Sequence, residues 1–359
     1  MDNDFEICNE SFNISKFKKF VLVADIGGEN SYFAIMGELS KKEFKIILRQ
    51  HIKTRTIKNL SQILNRLLEE AHRLFNITLD TAVITGAGAV SQNRETLKLT
   101  NHDLEISVNN LKKETLLPTF ILMNNFEAEG YGIDYVDKEK MMQLSHIHTK
   151  TNITTSAILG AGHGLGASIM YYDSKKHLHV SIPSEAGHMS LPVELYFDLE
   201  FVNYIKDEFF EGRQVPVSSE FAVSGKGICL LYDFIVQKKI YGEPRVKLNN
   251  LEETEKLTKI FEHKHDIYCK RAVELFVSYY ARVSRNLAII TQPYAGLFLT
   301  GRVTTAAKTA MNEYFLREFL NCATHKEMLK KIPIFVVEDT DITLLGACNV
   351  AVNFVEEFS

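Results

Sequence analysis

The chain has 359 residues, 45% apolar and 24% charged, which at about 150 residues per domain fits two soluble domains with sizeable cores. The net charge of −4 argues against a nucleic-acid partner, and no run of about 18 uncharged apolar residues argues for a membrane span. The five cysteines are odd in number, scattered and without a CxxC pair, which fits reduced thiols and a cytoplasmic setting.

In chain order, the acidic, polar opening "MDNDFEICNE" is wrong for a secretory signal, and residues 1–17 read as a short disordered leader. "KKFVLVADIG" and "NSYFAIMGEL" read as two strands paired across Gly27 and Gly28, with "KEFKIILRQHI" as a third. "NLSQILNRLLEEAHRLF" has apolar residues at helical spacing, with Asn59 or Ser61 as its cap. "TAVITGAGAV" returns to strand, "SVNNLKKETL" to helix and "TFILMNNF" to strand. "AILGAGHGLGASIMYY" is a second strand–glycine–strand unit. Helices follow in "LYFDLEFVNYIKDEFF", "KGICLLYDFIVQKK" and "YCKRAVELFVSYYARVSRNLAIIT". Strand "GLFLTG", a helix, strand "IPIFVVED" and helix "TLLGACNVAVNFVEEF" complete an α/β pattern.

Glycine turns between apolar strands offer backbone N–H groups that can hold phosphate oxygens. Neither turn here is a P-loop, and "GAGHGLG" precedes strand-like sequence, not a helix. Taken alone, each fits a structural hairpin better than a phosphate cradle, and the presence of two such turns brings the two readings level. Asn124 and Asn125 would stand at a strand end, where ligands bind in α/β sheets and where Asx turns also occur. Glu185 and His188 lie three apart among small residues, in a ligand loop or an ordinary surface loop. Glu220 precedes a serine–glycine turn and could belong to a capping segment. The pairs His146/His148, His177/His179 and His263/His265 would share a strand face, but no partner ligands at metal spacing accompany them.

Together these motifs resemble the bacterial-type glucokinase family of the sugar-kinase/actin-like ATPase superfamily, from about residue 20 to about residue 350. "VADIGGEN" resembles the family's DxGGTN turn, "LKLTNHDLEIS" its MTNHxWxxS and "LMNNFEAEGYGI" its xxNDFxAxxxAI. "LGAGHGLGAS" is similar to YGAGTGLGxA, "PSEAGHMSL" to xGEGGHxxF and "SEFAVSGKGICLLY" to ERVLSGxGLxNLY. "GLFLTGRV" resembles GVFIAGGI and "DTDITLLGA" the C-terminal xxxxGLLGA. The resemblance implies a two-domain actin-like (hexokinase/ribonuclease H-like) fold with a sugar cleft between the domains. Residues 18–125 with 339–359 would form the smaller domain and 126–338 the larger.

It also implies ATP-dependent phosphorylation of glucose, or another hexose, at the 6-hydroxyl with Mg²⁺, and is in keeping with a homodimer. Asn124, Glu185, His188 and Glu220 would contact the sugar, and such groups pair hydroxyls that both donate and accept. Asp25 would stand near Mg²⁺, holding it indirectly. Gly27, Gly28, Glu29, Asn30, Gly160, Gly162, His163 and Gly164 would line the phosphate turns, and Gly301 would lie by the adenosine. No cysteine cluster follows His188, against the family's zinc-binding branch.

Several positions depart from the family. Its catalytic aspartate is Asn125 here, and losing a positioned base costs about 10²–10⁴-fold in rate. The two phosphate-turn threonines are Glu29 and His163, and the second glycine of AGGI is Arg302. At an effective dielectric of about 20, two like charges about 4 Å apart repel by about 4 kcal/mol, so Glu29 needs compensation beside phosphate. A second expectation follows: a catalytically weak or inactive, sugar-binding pseudokinase or regulator.

Overall fold

The computed structural model describes residues 5–8, 13–40, 43–100, 102–145, 147, 154–248, 250–311 and 313–358. The strands are β1 (Glu6–Ile7), β2 (Lys19–Ile26), β3 (Asn30–Ser40), β4 (Glu43–Lys53), β5 (Thr81–Gly86), β6 (Gly88–Val90), β7 (Thr96–Leu99), β8 (Glu105–Ser107), β9 (Thr119–Asn124), β10 (Met141–Gln143), β11 (Ser156–Ala161), β12 (Leu165–Asp173), β13 (Leu178–Ser184), β14 (Gly296–Thr300) and β15 (Ile334–Val337). The helices are α1 (Leu60–Phe75), α2 (Val108–Glu114), α3 (Asn125–Gly132), α4 (Tyr196–Phe210), α5 (Gly225–Gln237), α6 (Glu253–Glu262), α7 (Ile267–Thr291), α8 (Arg302–Ala307), α9 (Glu313–Phe319), α10 (Lys326–Leu329), α11 (Ile342–Asn353) and α12 (Val355–Phe358).

The chain divides into two compact units. One comprises Met1–Asp137, Leu178–Pro183 and Asp339–Ser359; the other comprises Lys138–His177 and Ser184–Glu338. In the first, the main sheet runs β1-β4-β3-β2-β5-β9. β3 runs antiparallel to both β2 and β4, while β5 and β9 run parallel to β2. The continuous apolar run of β2 is explained by burial on both faces. Leu22, Ala24 and Ile26 pack with Leu60, Leu64 and Leu67 of α1, while Val21 and Val23 pack with Ala128 of α3 and Ala347 of α11. This period-two alternation leaves Asp25 at the strand's end, on the Val23 side.

Parts of the expected leader are structured: β1 pairs with β4, residues 14–16 form a 3₁₀ turn, and Phe17 is buried. Residues 1–4 and 9–12 of that stretch lie outside the described ones. Asn59, not Ser61, caps α1, its side chain accepting from Gln62 N–H at 3.0 Å, while Ser61 Oγ donates to Glu114 Oε2 at 2.6 Å. "TAVITGAGAV" is broken into β5 and β6, and β6, β7 and β8 form a small antiparallel sheet. The segment expected as strand through Phe126 ends at Asn124. There the Asn124 Oδ1 accepts from Phe126 N–H at 2.8 Å and starts α3 instead.

In the second unit, β10-β15-β14-β11-β12 are neighbours in one sheet. β14 runs parallel to β11 with Thr300 opposite Gly160, so the chain leaving β14 emerges beside the second glycine turn. The long α7 packs beneath, with Tyr280 Oη donating to Leu159 O at 2.6 Å. Among the described residues no helix is long and apolar enough to cross a membrane.

Candidate functional site

The first unit carries the DxGGTN-like turn. Gly27 N–H donates to Asn30 O at 3.1 Å, closing the turn from β2 to β3. Thr54 fastens it from β4's end: its Oγ1 donates to Gly27 O at 2.8 Å and its N–H to Glu29 O at 2.9 Å. A side chain on Gly28 would meet nothing within 4 Å, which leaves open space over the turn. Asp25 Oδ1 accepts from Thr85 Oγ1 at 2.9 Å, since β2 and β5 set the two residues opposite each other. Burial pushes the Asp25 carboxyl up to about 6, opposed by the Thr85 hydrogen bond, which favours the charged form.

Because that pKa is raised on folding, Asp25 binds its proton more tightly in the native state than in the unfolded chain. Stability therefore falls as pH rises from about 4 through about 6. Asp25→Asn is expected to stabilise the protein by on the order of 1–2 kcal/mol above that window, after discounting for solvent screening. Thermal unfolding of both proteins between pH 4 and 8 checks this. A stability difference that does not change with pH would contradict it.

Asn124 and Asn125 stand at the junction of β9 and α3. Asn124 Nδ2 donates to Gly88 O at 3.1 Å, fixing the amide, and both residues are partly exposed. Asn125 Oδ1 lies 3.1 Å from Phe126 N. Glu127, the nearest following carboxylate, is buried and engaged by Arg94, whose Nη2 and Nη1 donate to its two oxygens at 2.6 and 3.1 Å. Arg94 adopts a left-handed backbone (φ 55°) and lies over the Phe358 ring. Sequence reasoning missed this clamp; the charges alone, 33 positions apart, give no signal for it.

The second unit carries the other turn and three of the expected sugar contacts. Gly162 N–H donates to Gly164 O at 2.9 Å, and a side chain on Gly162 would meet open space. Leu165, just after the turn, ties the parts together. Its N–H donates to Glu220 Oε2 at 2.9 Å, and its carbonyl lies against Gly187, where a Cβ would come within 1.8 Å of the oxygen. Only glycine fits there, between Glu185 and His188. The segments around His188 and Glu220 are further joined by Ser219 N–H donating to Met189 O at 2.7 Å. Ser224 caps α5 and donates to Glu220 O at 2.8 Å. The structure thus brings Glu185, His188 and Glu220 onto one framework with Gly160, Gly162 and Gly164.

Glu185 and His188 are exposed, their carboxylate and imidazole 3.7 Å apart. His163 Nδ1 lies 3.9 Å from Glu253 Oε1, a pair too exposed to be worth much. Gly301 has φ 95°, and a Cβ there would stand 2.3 Å from Ala161 O, so it packs directly on the end of β11. Arg302, the first residue of α8, is exposed.

The histidine pairs do not form a metal centre among the described residues. His179 is buried, its Nδ1 2.9 Å from Asp134, whereas His177, His263 and His265 are exposed. His146 and His148 lie outside the described residues.

Two α/β units, each with a glycine turn between antiparallel strands, are the architecture of the actin-like ATPase sugar kinases. The glucokinase family model matches residues 22–354, and the chain belongs to that family. A glucokinase of Nostoc punctiforme is 26% identical over 345 residues, covering 91% of this chain and 97% of its own. The solved structure of glucokinase from Balamuthia mandrillaris in complex with glucose matches with a TM-score of 0.76 at 21% identity, covering 93% of each chain. That of a ROK family glucokinase from Streptomyces griseus in complex with glucose and AMPPNP matches with a TM-score of 0.62 at 14% identity, covering 92% of this chain and 98% of that one.

Proposed function

We propose that the protein phosphorylates glucose on its 6-hydroxyl with ATP as the donor, at a rate held down by the amide at position 125. The observation that carries this reading is the framework around Leu165, which holds Glu220 by hydrogen bond and seats the Glu185–His188 loop by close packing. Asn124, Glu185, His188 and Glu220 contact the sugar in this reading. Their amide, carboxylates and imidazole can pair its hydroxyls as donors and acceptors.

The two turns fit phosphate chemically: both have open space over a glycine, Gly28 and Gly162. Asp25 stands at the end of β2 beside the first turn, where a carboxylate could help hold Mg²⁺ through water. Bound Mg²⁺ would neutralise charge developing on the transferring group. Asp25 must be ionised for that role, so the rate is expected to rise with pH through about 6.

A second reading, a sugar-binding pseudokinase, is favoured by one observation. The Arg94 clamp on Glu127 removes the nearest sequence neighbour that could replace the missing base. Glucose 6-phosphate formation with Mg-ATP, alongside glucose-induced thermal stabilisation, separates the two readings. Stabilisation with slow turnover supports the first, and stabilisation with none supports the second.

A further inference from the structure

The Asn30 side chain, at the end of the first glycine turn, is held by two donors. Lys53 Nζ and His51 Nε2 each lie 2.9 Å from Asn30 Oδ1. The β3–β4 ladder sets Asn30 directly opposite Lys53, and the neighbouring Thr54 is bonded to Gly27 O and Glu29 O. Lys53 is therefore registered to the turn by the backbone as well as by its own side chain. His51 is backed in turn by the Tyr32 ring, stacked at 4.9 Å.

An ammonium has donors only, so the Asn30 amide atom facing Lys53 must be the oxygen. The amide nitrogen is then directed away from Lys53, and no acceptor among the described residues meets it. On this turn the family's threonine hydroxyl is replaced by Glu29, which takes away a donor and adds a negative charge. Lys53 stands opposite the residue that follows Glu29 and brings a positive charge to the same turn.

We propose that Lys53 is a positioning residue for the phosphoryl donor. It locks the Asn30 amide so that Nδ2 is presented to an anionic phosphate oxygen of a nucleoside triphosphate, and its charge offsets that of Glu29. This rests on the kinase reading above. Two of the three ammonium donors are left after the Asn30 bond, so Lys53 can also reach a phosphate oxygen held beside Asn30.

The test measures dissociation constants for glucose and, separately, for a non-hydrolysable Mg-ATP analogue. Lys53→Met is expected to weaken the triphosphate analogue about tenfold, the scale of one charge-assisted hydrogen bond, and to leave glucose binding unchanged. Lys53→Arg keeps the charge and the donor and is expected to restore most of the affinity. Asn30→Asp keeps a partner for Lys53 but replaces the presented donor with a carboxylate, and is expected to weaken the analogue further. Wild-type triphosphate affinity in Lys53→Met would overturn the proposal, as would parallel loss of both ligands, which would indicate a merely structural role. Wild-type protein that binds glucose but no triphosphate would overturn the kinase reading and the proposal together.

Discussion

Asn125→Asp is expected to raise the rate of glucose phosphorylation by about 10²–10⁴-fold, the usual contribution of a positioned general base. The amide at this position cannot take the proton of the sugar hydroxyl. Nor can Glu127 move in to do so. Both of its oxygens are held by Arg94, the pair is largely buried, and breaking such a pair costs about 3–5 kcal/mol. The substitution should be well tolerated. Asn125 is the first residue of α3, and its Oδ1 already faces the Phe126 N–H. A carboxylate there keeps an acceptor in place and is favoured at a helix N-terminus by about 0.3–1 kcal/mol. Because the base acts in the transition state, kcat should rise with little change in KM for glucose. Asn125→Ala, which adds no base, should stay near the wild-type rate. A stable Asn125→Asp protein with no gain would show that the missing carboxylate is not what limits turnover.

Glu220→Gln is expected to weaken glucose binding by about 10–100-fold while leaving the sugar-free protein as stable as the wild type. Glu220 uses Oε2 to accept from Leu165 N–H, and Oε1 has no hydrogen bond from the described residues. Oε1 is therefore the atom available to a sugar hydroxyl. A glutamine can keep the Leu165 bond with its amide oxygen, but then presents an NH₂ where the carboxylate presented a charged acceptor. Glu220→Ala should do more damage, because it also leaves the Leu165 N–H unpaired, at about 1–3 kcal/mol. Thermal unfolding with and without glucose reads both quantities. The glucose-induced shift should collapse in Glu220→Gln while the sugar-free midpoint stays put. A shift equal to the wild type's would remove Glu220 from the sugar site.

Much of this was legible in the sequence because the relevant signals are local. The β2–turn–β3 unit shows as two apolar runs around Gly27 and Gly28, and α1 shows as periodicity behind Asn59. What was hidden depends on contacts distant in the chain. The start of α3 was concealed because "MNNF" carries no helix periodicity, and only the Asn124 side chain bonding Phe126 N–H fixes the boundary. The Arg94–Glu127 clamp and the Glu220–Leu165 bond join residues 33 and 55 positions apart. The placement of Lys53 opposite Asn30 depends on a strand register that includes irregularities, which composition does not reveal. The interleaving of the units was equally hidden. Residues 178–183 group with the first unit because Leu178 and Val180 pack on its core and His179 pairs with Asp134, although the flanking chain belongs to the second.

The most direct test of the central claim is glucose 6-phosphate formation by the purified wild-type protein with glucose and Mg-ATP, run beside Glu185→Ala. Slow turnover that disappears in the variant is the expected result, and would establish a glucokinase working without its carboxylate base. Folded wild-type protein that forms no product would contradict that claim, and would leave sugar binding without phosphoryl transfer as the function of this site.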